Sequence, residues 1–167
     1  TAGVLGHTDE PLPPILYRRS TPLTTITPAI AALAEAHAGD DRLGTCHALM
    51  LGIRSRMQFQ PGITDAVTDA DTALRLGRGV CQDLSQIFLA AARHLGIPAR
   101  YVSGHYAALD HPEQEAAHAW AEAHVDGLGW VSFDPTHGVC GTVGHIRVAV
   151  GLDAREAAPV RGSRRGG

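Results

Sequence analysis

A chain of 167 residues has room for one domain with a core of its own, since domains commonly hold roughly 100–200 residues. Apolar residues make up 44% and charged residues 19%, an ordinary globular balance. No run approaches the roughly 18 uninterrupted apolar residues of a membrane span, so no membrane partner is expected. The 14 basic side chains, all arginine, face 17 acidic ones for a net charge of −3, which argues against a nucleic-acid footprint.

Residues 1–22 carry prolines at 11, 13, 14 and 22 and read as an extended N-terminal arm. A domain over 23–152 follows. Thr27 can cap a helix with Pro28 in its first position and Gly39 as the stop. A second helix runs from about Asp41 to Met57, with Leu43, Cys46, His47, Met50 and Ile53 along one face, so Cys46 reads as core. A loop with a short helix near 70–76 delivers the chain to Cys81. From there Leu84, Ile87, Phe88, Ala91, Ala92 and Leu95 hold helical spacing until Gly96. The segment "PARYVSGHY" then reads as a strand, and "AHAWAEAHV" alternates strictly as a half-buried one. "DGLG" at 126–129 is a turn, "WVSFDPT" the return strand ended by Pro135, and "HIRVAV" over 145–150 a further strand. The segment 153–167 has no apolar period and reads as a C-terminal tail. Helices first and an antiparallel sheet after them define an α+β class, and oligomeric state has no signature here.

Cys46, Cys81 and Cys140 are odd in number and widely spaced, so they form neither a disulfide framework nor a CxxC motif. At least one thiol stays free. No charged start followed by an apolar stretch is visible, so no signal peptide is read and a cytoplasmic location is expected.

A cysteine in the first turn of a helix faces unpaired backbone N–H groups and the positive end of the helix dipole, which favour thiolate. Cys81 has that placement and reads as a nucleophile; the blander reading is a small buried side chain. On the alternating strand His118, Trp120, Glu122 and His124 share one face, and on the return strand Trp130, Ser132 and Asp134 do. His118 and Asp134 fall on the same side of the sheet only if the connecting loop has an odd number of residues or a bulge. An aspartate accepting from one imidazole nitrogen would orient the ring, leaving the other nitrogen for the proton of Cys81. Those residue types suit a Cys81, His118, Asp134 site.

Three blocks carry a resemblance: "GRGVCQDLSQIFLAAARHLGIPARYVSGHY", "HAWAEAHVDGLGWVSFDPTHG" and "HIRVAVGLDAREAAPVRG". In this order they resemble the bacterial form of the transglutaminase-like superfamily, whose members are often labelled cysteine proteases. The resemblance covers roughly residues 25–162. It implies a papain-like fold with the cysteine helix packed on an antiparallel sheet. It also implies Cys81 as nucleophile, His118 as general base and acid, and Asp134 as orienting carboxylate. Two positions depart from the family pattern: His137 stands where asparagine often follows "DPT", and "GLDA" at 151–154 stands where "GRDY" is frequent. His137 is thereby expected near the triad.

The expected chemistry is amide-bond hydrolysis of a peptide or protein substrate through a thioester, with no cofactor. Transfer to a lysine amine, and a non-catalytic peptide-binding module of the same fold, are the rival readings. His105, His124, His137 and His145 raise the question of zinc, but no HExxH or paired CxxC occurs, so no metal is expected. Asp83 reads as a first-turn charge, Trp120 and Trp130 as packing or cleft walls near the triad, and Gln58 and Gln60 as solvated loop amides. Tyr101 and Tyr106 have no assigned role.

Overall fold

A computed structural model describes residues 3–7, 12–108 and 111–158, with the backbone path alone at 108 and 111–116. Helix α1 (Pro28–Ala36) starts where expected, the Thr27 hydroxyl accepting from the Ile30 N–H. Asp41 caps α2 (Arg42–Arg56), and Asp69 caps α3 (Ala70–Leu76). Gly77, at φ +64°, ends α3 in the left-handed region that favours glycine. Two short parallel strands, β2 (Gln58–Phe59) and β3 (Arg78–Gly79), fasten the loop that precedes the next helix, α4 (Cys81–His94).

The sheet that follows is antiparallel. It comprises β1 (Val4–Gly6), β4 (Ala99–Ala108), β5 (His111–Val125), β6 (Gly129–Asp134), β7 (Val139–Cys140) and β8 (His145–Gly151), in the order β1-β6-β5-β4-β8 with β7 beside β6. The β5–β6 hairpin closes through three residues, 126–128, between paired Val125 and Gly129. That odd loop meets the parity condition: Glu122 pairs with Ser132 and His124 with Trp130, so even-numbered side chains of both strands share a face.

Helix α4 is the centre of the core. Its alternation predicts one apolar face, yet every residue from Asp83 to Arg93 is buried, because α1, α2 and α3 cover the sides that the sheet leaves open. Ala119, Ala121 and Ala123 of β5 join Phe88 and Phe133 in this core. Small side chains on β5 let the helix lie close to the strand. Two buried polar side chains of α4 donate to backbone carbonyls: Gln86 Nε2 donates to that of Thr68. Arg93 donates to the carbonyls of Tyr17, Ala99 and Leu152 and to the Thr24 hydroxyl. Burial lowers the Arg93 pKa to about 10.

From His118 to Ala123, strand β5 is buried on both faces rather than half-buried, since Trp120 and Glu122 are as enclosed as the alanines between them. The two ends of the chain also differ from expectation. β1 pairs with β6, the 3₁₀ turn Pro14–Arg18 buries Tyr17, and Arg93 holds the Tyr17 carbonyl, so these parts of the arm lie against the domain. At the other end Ala157 is fully buried in the core, and its carbonyl accepts from Ser103 Oγ. The rest of the expected tail, 159–167, lies outside the described residues.

Candidate active site

The loop before α4 sets where Cys81 lies. Asp83 Oδ2 accepts from the Val80 N–H at 2.8 Å and from Thr64 Oγ1 at 2.6 Å, tying the first turn of α4 to the loop at 64. Gly79 is needed there, because a Cβ would come within 2.6 Å of the same carboxylate oxygen. Asp83 is thus more than a dipole-favoured surface charge: it is buried, and burial raises its pKa.

Cys81 follows at the first position of α4 and packs against the core. Burial pushes its thiol pKa up, and the negative charges of Asp134 and Asp83 add to the rise. The backbone N–H groups of Ala119 and Gln82 pull the other way. Its helix-terminal position therefore does not by itself make a low-pKa thiol. Cys46, buried in the core and pushed up to about 12 by that burial, matches its expected structural role.

Ala119, whose N–H faces the Cys81 sulfur, is the chain neighbour of His118. His118 Nε2 donates to Asp134 Oδ2 at 2.8 Å, and both groups are enclosed. Asp134 ends β6, and the "DPTH" sequence folds back so that Asp134 Oδ1 accepts from the N–H groups of Thr136 (2.9 Å) and His137 (3.3 Å). This is the local turn that aspartate favours. One carboxylate oxygen is held by the chain's own turn, and the other is left for imidazoles.

That second oxygen has three imidazole donors. Besides His118 it accepts from His137 Nδ1 at 2.7 Å and His145 Nε2 at 3.0 Å. Burial alone would raise the Asp134 pKa, but these three hydrogen bonds outweigh it and hold the carboxyl far below the usual range. His137 in turn is raised, its bond to Asp134 exceeding the effect of burial. The His145 tautomer follows from its surroundings. Its Nδ1 faces the Thr142 N–H at 3.1 Å, and a backbone N–H can only donate, so the proton is on Nε2 and points at Asp134.

Tyr106 packs among the three rings, with centroids 4.6 Å from His137, 4.9 Å from His145 and 5.7 Å from His118. Trp120 closes another side, 5.9 Å from His118 and 5.1 Å from His145. A cavity of about 540 Å³ opens on the same face of the sheet, lined by Val4, Trp120, Glu122, Ser132, His145 and Arg147. The Ser132 hydroxyl is buried at this wall with no hydrogen-bond partner among the described residues.

Of the residues singled out from sequence, His118 and Asp134 are joined directly, Cys81 lies beside Ala119, and His137 is drawn in as expected. Trp130 departs: it packs under Arg100, 4.0 Å from the ring centroid, and against Tyr17 and His124, away from Asp134. His145 and Tyr106 are members of the cluster that sequence reasoning did not assign to it. Nothing in linear spacing marks His145, which reaches Asp134 from β8 across two intervening strands. Gln58 is exposed and Gln60 half-buried beside β3, so neither gains a site role.

Comparison with known proteins converges on one family. The Transglutaminase-like superfamily matches residues 31–135, a span that contains Cys81, His118 and Asp134. An uncharacterized protein of Mycobacterium leprae is 35% identical over 95% of this chain and 56% of its own length. The solved structure described as "a Putative Cysteine Protease from Cytophaga hutchinsonii" superposes with a TM-score of 0.74 at 29% identity, over 86% of this chain and 48% of that one. The periplasmic domain of TgpA from Pseudomonas aeruginosa, bound to ethylmercury, follows with a TM-score of 0.51 at 27% identity, over 74% of this chain and 48% of that one. The chain spans about half the length of these relatives. No helix among the described residues is long and apolar enough to cross a membrane. With a family match over more than half its length and the papain-like arrangement of a cysteine helix on an antiparallel sheet, the chain belongs to the transglutaminase-like superfamily.

Proposed function

We propose that this chain is a thiol-dependent amide-bond hydrolase of the cysteine protease or amidase type, acting on a peptide or protein substrate through Cys81, His118 and Asp134. The observation that carries the reading is the His118 to Asp134 hydrogen bond, one residue from the backbone N–H that faces the Cys81 sulfur. In the reaction the Cys81 sulfur attacks the amide carbon and its proton passes to His118, so the pair forms as thiolate and imidazolium together. Joint formation matters because burial opposes a lone thiolate at this position. The carbonyl oxygen becomes an oxyanion, for which the Cys81 N–H at the start of α4 is the natural first donor. His118 then protonates the leaving amine, the C–N bond breaks and a thioester remains. Water adds to the thioester with His118 taking its proton. Collapse releases the acid and returns the thiol. Asp134 stays ionised throughout, since its hydrogen bonds keep its pKa far below neutrality.

Hydrolysis is favoured over amine transfer by the surroundings. A lysine acceptor needs a water-excluding passage with aromatic walls, and of the tryptophans and tyrosines among the described residues only Trp120 and Tyr106 stand beside His118, Trp130 being turned to Arg100. The three free thiols suit a reducing compartment, in keeping with a cytoplasmic site of action, although the TgpA domain is periplasmic.

The test is a Cys81→Ala variant assayed beside wild type on glutamine-containing peptides with a millimolar primary amine, the products being weighed by mass spectrometry. Wild type is expected to release more hydrolysed product than amine adduct, and the variant neither, with its melting temperature close to that of wild type. Predominance of adduct would make the enzyme a transferase. Activity surviving in Cys81→Ala would remove the cysteine from the mechanism, and an inert wild type whose Cys81 alkylates no faster than a denatured-state thiol would leave a binding module.

A further inference from the structure

The imidazole cluster around Asp134 has a second property, independent of the thiol. His118 Nε2, His137 Nδ1 and an Asp134 carboxylate oxygen lie within 4.8 Å of one another, supplied by β5, β6 and the turn after it. Two imidazoles and one carboxylate form a donor set that zinc accepts, with a water completing four-coordination. We propose that His118, Asp134 and His137 form a reversible zinc site, and that a metal held there excludes the chemistry of Cys81.

The geometry is close to what a tetrahedral ion requires. Ligand atoms about 2.1 Å from zinc in a tetrahedral arrangement stand about 3.4 Å apart. The two ring nitrogens are now 2.8 and 2.7 Å from Asp134 Oδ2, so admitting the ion means opening these hydrogen bonds by roughly 0.6–0.7 Å. The carboxylate remains anchored meanwhile, because its other oxygen is held by the backbone of Thr136 and His137. His137 supplies the way in: its side chain is 41% exposed, whereas those of His118 and Asp134 are enclosed. His145 is left out of the ligand set for a chemical reason. Its Nδ1 is occupied as acceptor of the Thr142 N–H, which keeps the proton on Nε2 and denies that nitrogen a lone pair. It acts instead as a fixed donor to Asp134, the outer partner that orients a ligating carboxylate.

On ligation each of the two rings gives zinc the lone pair of the nitrogen that now donates to Asp134, and its remaining proton moves to the opposite nitrogen. A ring protonated on both nitrogens releases one proton to solvent. No bond other than the dative ones forms, and no redox step is involved. His118 is then unable to accept the Cys81 proton. This inhibitory consequence, unlike zinc binding itself, rests on the hydrolase reading above.

The experiment is calorimetric titration of the full chain with Zn²⁺ under reducing conditions, repeated with Co²⁺ and followed by its d–d absorption. The variants are His137→Ala, Asp134→Asn, Cys81→Ala and Cys140→Ser, the last because Cys140 Sγ lies 4.0 Å from His47 Nε2 and offers a competing thiol–imidazole pair. The expected result is one ion per chain, four-coordinate cobalt bands, and affinity at least about tenfold weaker in His137→Ala. Cys81→Ala and Cys140→Ser should bind within twofold of wild type. His137 is half-exposed, so its variant should fold and carry the test even if Asp134→Asn does not. Absence of saturable binding, or binding lost with Cys81 or Cys140 but kept in His137→Ala, would overturn the site. Calorimetry needs no substrate. A protein that binds zinc at these residues yet cleaves nothing would keep the site and refute the hydrolase, and one that cleaves amides yet binds no zinc would do the reverse.

Discussion

Two carboxylates are buried on the same face of the sheet, Asp134 at the end of β6 and Glu122 toward the end of β5, and their partners differ in kind. Asp134 is surrounded by imidazoles, rings whose two nitrogens can give or take a proton. Glu122 is surrounded by guanidinium groups: its Oε2 accepts from Arg100 Nε at 2.7 Å and Arg147 Nη1 at 3.3 Å, and Arg100 also lies over Trp130. Guanidinium keeps its proton at every physiological pH. The same sheet face thus holds one carboxylate in a permanent ion pair and another in a network able to move protons. Permanent charge suits structure, and exchangeable charge suits chemistry.

If that division holds, the two sites fail differently. The largest effect is expected from Asp134→Asn, which keeps the shape but removes the charge that orients and stabilises an imidazolium. The kcat/KM for an amide substrate should fall about 10³-fold or more with residual activity remaining. A variant with full activity would detach Asp134 from the mechanism. Next comes Glu122→Gln, which removes the buried charge that Arg100 and Arg147 share. Breaking a buried pair from one side costs about 3 kcal/mol or more, lowering the melting temperature by roughly 6–12 °C in a domain of this size. Activity per folded molecule should stay within about threefold. Thermal unfolding and a specific-activity assay at 25 °C separate the two results, and a stable but inactive Glu122→Gln would erase the distinction.

The pH dependence sharpens the comparison further. The folded-state pKa of Asp134 is depressed, so its stabilisation is present above its unfolded value of about 3.9 and lost as pH falls below that. Acid unfolding should therefore be less steep in Asp134→Asn than in wild type. His137 has the opposite sign: its pKa is raised, so its contribution is complete below about pH 6.5 and declines as pH rises through the raised value. His137→Gln should flatten wild type's loss of stability above pH 6.5 when denaturant midpoints are compared across pH. This is the smallest effect, because the His137 ring is partly solvated. An unchanged slope would show that the Asp134–His137 bond carries no weight in solution.

Much of the cluster was legible in sequence because it is built from local rules. The alternation of β5 and the return strand put His118 and Asp134 on one face on the condition of an odd loop, which the three residues 126–128 meet where the sequence reads as a four-residue turn, and the family resemblance set His137 close to them. His145 was not legible. In a flat sheet β8 would lie three strand spacings, about 14 Å, from β6. Its contact with Asp134 requires curvature, together with a register shift at Ser103 and Gly104, where a Cβ on Gly104 would lie 2.1 Å from the Ile146 carbonyl oxygen. HExxH and CxxC sets lie on one element, whereas the grouping of His118, Asp134 and His137 is made by a hairpin and a turn, which no linear motif spells out.

By itself the sequence determined the cap of α1, the place of Cys81 at the start of α4 and the family, because each depends on residues near one another or on the order of blocks along the chain; the parity of the hairpin waited for its three-residue loop. The tertiary structure alone decided the environments. It enclosed the polar side of α4, turned Trp130 toward Arg100, raised the Cys81 thiol by burial, and brought a third imidazole to Asp134. Solvent exclusion and field strength at a group depend on every element packed around it, and that sum is fixed only when the sheet has curled over the helix.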